Sequence, residues 1–181
     1  MMKTDKADKA KLVEACLKRD PVACKQLYDS YAPQMLGICM RYARSRESAE
    51  DILHDGFIKV FESLHKLRDA SQLDSWIRSL MVHTAISTFR HERFTENVAD
   101  YDDEGNPFNE SDLIYSQIDI KLIMEAIQQL PTAYRMAFNL CEVEGYDYED
   151  AAAELGINES TVRSNLCRAR RILAKKLERY R

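Results

Sequence analysis

Apolar positions recur three and four residues apart along most of the chain, and no run keeps the period of two that a half-buried strand requires. Asp8 to Arg19 reads as a short charged helix. Pro21 suits the first turn of the next, which carries Leu27 and Tyr31 on one side as far as Tyr31. Pro33 is expected to open a separate helix, Gln34 to Arg44, striped by Leu36, Cys39, Met40 and Ala43. Ser48, with Asp51 three residues on, is expected to cap a helix to about Leu64, its buried stripe being Ile52, Leu53, Gly56, Phe57, Val60, Phe61 and Leu64. Ser71 with Asp74 marks another start. Trp76, Ile77, Leu80, Met81, Ala85, Ile86 and Phe89 then give a strongly apolar helix that ends in Arg90-His91-Glu92-Arg93.

From Thr95 to Ser116 the periodicity stops. Asp, Glu, Asn, a Gly and a Pro replace it, a composition expected of a flexible acidic linker rather than an ordered surface loop of that length. Helical patterning resumes at Asp119 to Leu130. Pro131 opens a helix striped by Tyr134, Ala137, Phe138 and Cys141, Tyr148 to Leu155 forms a short helix, and Asn158 caps a long one from Glu159 to about Tyr180. The expected architecture is all-α. Two small helical domains, 1–94 and 117–181, are joined by the acidic linker 95–116, and the second contains a helix-turn-helix.

Composition narrows the function classes. The 181 residues are 45% hydrophobic and 31% charged, with only Gly 5 and Pro 4, which fits a helical globular chain. No run approaches the roughly 18 uncharged apolar residues of a spanning helix, and the first twenty residues lack the apolar core of a signal peptide, so no membrane insertion is expected. The five cysteines form no C-x-x-C pair, which predicts free thiols and a cytoplasmic location. The net charge of −4 is unevenly spread: +3 over 1–91, −8 over 92–119 and +1 over 120–181. Within the last part, 163–181 holds 8 basic residues against Glu178 alone, so a polyanionic partner remains compatible with an acidic chain.

The basic cluster sits on a recognisable device. Tyr148-Glu149-Asp150-Ala151-Ala152-Ala153-Glu154-Leu155, Gly156-Ile157-Asn158 and Glu159-Ser160-Thr161-Val162-Arg163 have the layout of a DNA-binding helix-turn-helix. Small alanines at 151 to 153 let two helices cross closely, Gly156 permits the positive φ of a tight turn, and Ile157 plugs the joint. Val162, Leu166, Ala169 and Leu173 would bury one face of the last helix. Arg163, Ser164, Cys167, Arg168, Arg170 and Arg171 would remain outside, where arginines can bond phosphates or guanine edges. The turn residues together with the basic cluster favour DNA binding over a plain helical hairpin.

Other chemistry fares worse. Asp51-x-x-His54 and Glu62-x-x-His65 look like the carboxylate-x-x-His units of dimetal bundles. Eleven residues on one helix put their histidines roughly 16 Å apart, too far to share a centre. No metal or other cofactor is expected. There is no G-x-S-x-G, P-loop or G-x-G-x-x-G, so an enzyme is not expected. Asp51, His54, Asp55, Ile58 and Glu62 lie opposite the apolar stripe of their helix. Ile58 among acids reads equally as a protein-binding face or as a solvated face with one harmless isoleucine. Trp76, Phe89 and Phe94 beside Arg78, Arg90 and Arg93 could stack unpaired bases, although spacing alone favours core for Trp76 and Phe89.

These residues carry a resemblance. Ala49-Glu50-Asp51-Ile52-Leu53-His54-Asp55-Gly56-Phe57 resembles region 2.2 of the extracytoplasmic-function (ECF) group of bacterial RNA polymerase sigma factors, and Ser75-Trp76-Ile77-Arg78-Ser79-Leu80-Met81-Val82-His83-Thr84-Ala85-Ile86 resembles regions 2.3 and 2.4. Leu130-Pro131 through Arg135, Glu144-Gly145-Tyr146, Thr161-Val162-Arg163-Ser164 and Arg168-Ala169-Arg170 resemble region 4. The resemblance runs from about Ala23 to Leu177, with only the linker unmatched.

The resemblance implies a sigma factor. It places core RNA polymerase (the clamp helices of its largest subunit) on Asp51, His54, Asp55 and Ile58. It places the melted −10 element on Trp76, Arg78, His83, Arg90 and Arg93. It places the −35 element on Glu159, Ser160, Thr161, Arg163, Ser164, Cys167, Arg168, Arg170 and Arg171, with Arg163, Ser164 and Cys167 toward bases and Arg168, Arg170 and Arg171 nearer phosphates. The linker would thread toward the RNA exit path, and an anti-sigma factor is an implied partner. The chain departs from the family pattern at His54-Asp55, where Gln-Glu is usual, at His83, where Asn is usual, and at Ser87, where Asp is frequent. The alternatives are a stand-alone dimeric regulator with the same helix-turn-helix, which needs no polymerase-binding face, and a metal-bundle enzyme.

Overall fold

The computed structural model describes residues 6–92 and 120–178, which contain helices and turns and no strand. Its contacts divide the chain into two compact units, Met1–Ser87 and Thr88–Arg181. Arg93 and the acidic stretch 95–116 lie outside the described residues, as does the side chain of Arg90.

In the first unit, α1 (Lys6–Leu17) leads into α2 (Pro21–Tyr42), α3 (Arg46–Ser63) and α4 (Leu73–Glu92), which runs past the Ser87 boundary, with 3₁₀ turns at Leu64–Lys66 and Ala70–Gln72. Asp20 caps α2 by accepting from the Val22 and Ala23 backbone N–H groups at 2.8 and 3.3 Å. Pro33 does not open a new helix as expected: it lies inside α2, which is continuous across it. An interior proline removes one backbone bond and costs about 3 kcal/mol in isolation. The apolar face offsets this, because Ala23, Leu27, Met35, Ile38, Cys39 and Tyr42 are buried on both sides of the proline. Leu36 and Met40, expected on that stripe, are only half-buried, and Met35 and Ile38 take the core positions. Burial pushes the Cys39 thiol up to about 12.

The start of α3 also lies earlier than expected. Ser45, not Ser48, is the cap. Ser45 Oγ accepts from Ser48 N at 3.2 Å and Ser48 Oγ accepts from Ser45 N at 3.2 Å, a reciprocal capping box. Asp74 lies in the first turn of α4, where a helix start is expected, and also serves a tertiary role. Tyr31 Oη donates to it at 2.5 Å and Lys9 Nζ at 2.7 Å, joining α1 and α2 to the start of α4. Partial burial opposes ionisation of Asp74, but those two donors outweigh it and hold the carboxyl below its ordinary value.

Gly56 is where α3 meets α4. A Cβ there would run into the Met81 Sδ and lie 2.9 Å from its Cε, and Met81 is fully buried. Gly56→Val is therefore expected to destabilise the first unit by about 2–3 kcal/mol through overpacking. Urea unfolding checks this: the loss should be less than additive with Met81→Ala, which makes room, and strict additivity would mean that the two do not meet.

The second unit holds α5 (Ile120–Gln128), α6 (Thr132–Phe138), α7 (Tyr148–Leu155) and α8 (Glu159–Leu177), with α5, α6 and α8 packed around a core of Ala126, Ile127, Leu130, Tyr134, Ala169 and Leu173. After α6 the backbone widens into a π-helical turn, Asn139–Val143, which the periodic pattern does not announce.

Candidate functional site

Local sequence signals build the α7–α8 corner. Asp147 caps α7, its carboxylate accepting from Asp150 N at 2.7 Å. Gly156 stands at φ 64, the left-handed conformation that ends helices. Its N–H bonds Ala153 O at 3.3 Å and the Ile157 N–H bonds Ala152 O at 3.1 Å, the paired bonds of a Schellman motif. Asn158 Oδ1 then accepts from Thr161 N at 2.8 Å to start α8. Ala151 and Ala152 are buried at the crossing, whereas Ala153, expected there too, faces solvent one step round the helix.

Val162, Leu166, Ala169 and Leu173 are buried along α8, together with Asn165, which the apolar pattern did not single out. Glu159, Ser160, Arg163, Ser164, Cys167, Arg168 and Arg170 are exposed, and Thr161 and Arg171 are half-buried. Several of these side chains are engaged within the unit. Ser160 Oγ and Thr161 Oγ1 donate to the capping Asn158 at 2.8 and 2.6 Å, and Ser164 Oγ donates to Thr161 O at 3.0 Å. Arg168 Nη1 donates to Tyr134 Oη at 3.1 Å. Arg170 Nη2 donates to Glu142 Oε1 at 2.5 Å. Arg163 donates to Glu159, and its guanidinium lies 5.1 Å from the centre of the Tyr148 ring. That Tyr134, Glu142 and Tyr148 pair with these cations escaped the sequence reading. They come from α6, the π-turn and α7, and no spacing along the chain links them to α8.

On α3, Asp51, His54 and Asp55 are exposed, and Ile58 is 56% exposed on the same side. Glu62 is exposed as well, and so is Phe61, expected in the buried stripe but 36% exposed. The Phe61 ring sits 6.2 Å from that of Phe57, whose ring in turn lies 4.6 Å from Tyr28, so an aromatic ladder runs outward from the core. Phe61 thus extends the apolar spot at Ile58. On α4, His83 is exposed, Trp76 and Arg78 are half-buried, and Phe89 is buried. Among the described residues no group of three or more His, Cys, Asp or Glu side chains could hold a metal ion, and no helix is long and apolar enough to cross a membrane.

Comparison with known proteins follows the same division. The sigma-70 region 2 family matches residues 27–95 and the sigma-70 region 4 family matches residues 120–173, and together they span more than half of the chain. The chain is 29% identical over 181 residues to the ECF RNA polymerase sigma-E factor of Haemophilus influenzae, covering 92% of this chain and 94% of that one. It is 29% identical over 178 residues to the RNA polymerase sigma-H factor of Pseudomonas aeruginosa, covering 92% of each. Among solved structures it resembles the sigma factor RpoE of Bartonella quintana, crystallised with the anti-sigma factor NepR, at a TM-score of 0.53 and 23% identity over 85% of this chain and 96% of that one, a likeness of fold. The same two regions, in the same order, therefore carry both the helical faces described above and the family match: the chain belongs to the ECF group of RNA polymerase sigma factors and directs promoter recognition in transcription initiation.

Proposed function

We propose that the two units divide the work of one sigma factor. The part spanning 1–94 binds core RNA polymerase and opens the −10 element, 95–116 links the units, and 117–181 reads the −35 element. The polymerase-binding face is Asp51, His54, Asp55 and Ile58 on α3. Trp76, Arg78, His83, Arg90 and Arg93 hold the melted strand, with cations along the backbone and the half-buried indole of Trp76 as a stacking surface. The exposed face of α8 enters the major groove. Arg163, Ser164 and Cys167 meet bases there, Arg168, Arg170 and Arg171 lie toward phosphates, and Glu159, Ser160 and Thr161 form the leading turn. The protein is a binding factor and not an enzyme, acts in the cytoplasm with its polymerase, and is held inactive by an anti-sigma factor. A structural relative crystallised with such a factor supports that last point.

The observation that carries this reading is Ile58, 56% exposed among three polar side chains on the outer face of α3. A dimeric regulator that needs only α7 and α8 gives that face no task. In vitro transcription with core polymerase tests the reading: the purified chain should bind promoter duplex weakly alone, bind it tightly with core, and redirect initiation to its own start sites. Unchanged start sites would sink it.

Arg163→Ala is expected to lose about 1–3 kcal/mol at a single −35 base pair and to relax preference there. Binding across a panel of −35 variants measures this, and an equal loss on every sequence would mark Arg163 as a phosphate contact instead.

A further inference from the structure

We propose that Tyr148 is a specificity-determining positioning residue, whose ring, together with the Glu159 carboxylate, holds the Arg163 guanidinium in the orientation that reads one −35 base pair. This rests on the reading of α8 given above and names the device by which it selects a base.

The geometry is confined to the tips of two helices. Tyr148 is the first residue of α7, directly after its cap Asp147, and Glu159 is the first residue of α8, directly after its cap Asn158. Arg163 lies one turn into α8. Its guanidinium carbon sits 5.1 Å from the centre of the Tyr148 ring, and its Nη2 donates to Glu159 Oε1. A half-buried ring supports the cation from α7 while a carboxylate four residues back holds it along α8, the favourable order for a helical ion pair. The Arg163 side chain nonetheless remains 61% exposed, so the clamp orients the fork without hiding it.

An arginine identifies guanine by presenting two N–H groups in one plane to O6 and N7. A free side chain on a helix surface must give up rotamer freedom to do so, and orienting it beforehand removes much of that cost. Glu159 adds a second effect. A negative charge against the guanidinium repels phosphate, which steers Arg163 away from the backbone and toward the base edges. Two other arginines of α8 differ. Arg168 is tied to the Tyr134 hydroxyl and Arg170 to Glu142, partners that draw each toward the body of the unit. Arg163 is the one whose described partners both lie at the helix N-termini, the end of α8 that enters the groove.

The test uses holoenzyme assembled from core polymerase and the full chain, binding a library of promoter duplexes randomised over the −35 element. Tyr148→Leu should lower discrimination about fivefold at the position that Arg163→Ala also relaxes, and leave the other positions unchanged. Tyr148→Phe keeps the ring and should keep the discrimination. Adding Tyr148→Leu to Arg163→Ala should change nothing further, because the residue it positions is gone. The proposal is overturned if Tyr148→Leu leaves that position unaffected, weakens all positions alike, or acts equally with Arg163 absent. If Arg163→Ala itself relaxes no position, it is the reading of α8 that fails. If Arg163→Ala acts and Tyr148→Leu does not, only the positioning role fails.

Discussion

Ile58→Asp is expected to weaken association with core polymerase by on the order of a hundredfold while leaving the fold intact. The size follows from the environment. An apolar side chain at the centre of a docking face is the kind of residue whose loss costs 2 kcal/mol or more, about a thirtyfold effect, and a buried unpaired carboxylate adds to it. The cost to folding is small because Ile58 is 56% exposed in the free chain, and an acid there joins Asp51, Asp55 and Glu62 on a solvated face. Asp51→Ala alone should act differently, mainly slowing association and weakening its salt dependence, as a rim charge does. Asp51→Ala combined with Ile58→Ala should lose both contributions. Competition with labelled wild-type chain for a limiting amount of core measures all three. A variant that competes as well as wild type at unchanged melting temperature would remove α3 from the interface, and with it the main reason to prefer a polymerase factor's surface over a solvated helix. Phe61 gives an internal check, since Phe61→Ala should fall between the two if the docking face extends along the aromatic ladder.

The elements legible in the sequence are those whose signals are local. The turn of the α7–α8 corner was readable because Gly156 and Asn158 act on their own backbone or on the turn beside them, and the structure places α7 at Tyr148–Leu155 as the pattern does. Pro33 misleads because its penalty is local, whereas the buried face that overrides it, from Ala23 to Tyr42, is summed over six turns and set by contacts with other helices. Ser48 misleads for a related reason: it fits a capping pattern, but Ser45 was available three residues earlier. Asp74 does sit in the first turn of α4, as the pattern has it, and what the pattern hides is its contact with Tyr31 and Lys9 from distant positions. At the candidate site, which residues face outward could be read from the period of the helix: Asp51, His54, Asp55 and Ile58 on α3, and Arg163, Arg168 and Arg170 on α8. How those arginines are held could not. Tyr134 to Arg168, Glu142 to Arg170 and Tyr148 to Arg163 span 34, 28 and fifteen residues of chain, and only packing brings them together.

Arg135→Leu is expected to destabilise the second unit by about 2–4 kcal/mol and, as a result, to abolish −35 recognition at temperatures where the wild type functions. Arg135 is fully buried, an uncommon place for a guanidinium. Its Nη1 donates at 2.8 Å to the carbonyl of Gln128, the last residue of α5, and at 3.1 Å to that of Leu130, where the chain turns into α6. Two effects oppose each other in the substitution. Removing a buried charge relieves desolvation, which can make an apolar replacement neutral or even stabilising. Against this, two carbonyls in a tight turn lose their donor, at about 1–3 kcal/mol each when water cannot replace it. The second effect should dominate, because leucine fills the volume but offers no hydrogen, and Leu130 beside it is itself buried. Arg135→Lys separates the two: it keeps the charge and the donors but replaces a planar fork by a single point, so it should lose stability as well, though less. Denaturant unfolding of the full chain should show a lowered transition for the second unit, with polymerase binding through α3 retained. A leucine variant as stable as wild type would mean that desolvation governs the site, and that Arg135 is tolerated in the core of this unit rather than required by the turn it closes.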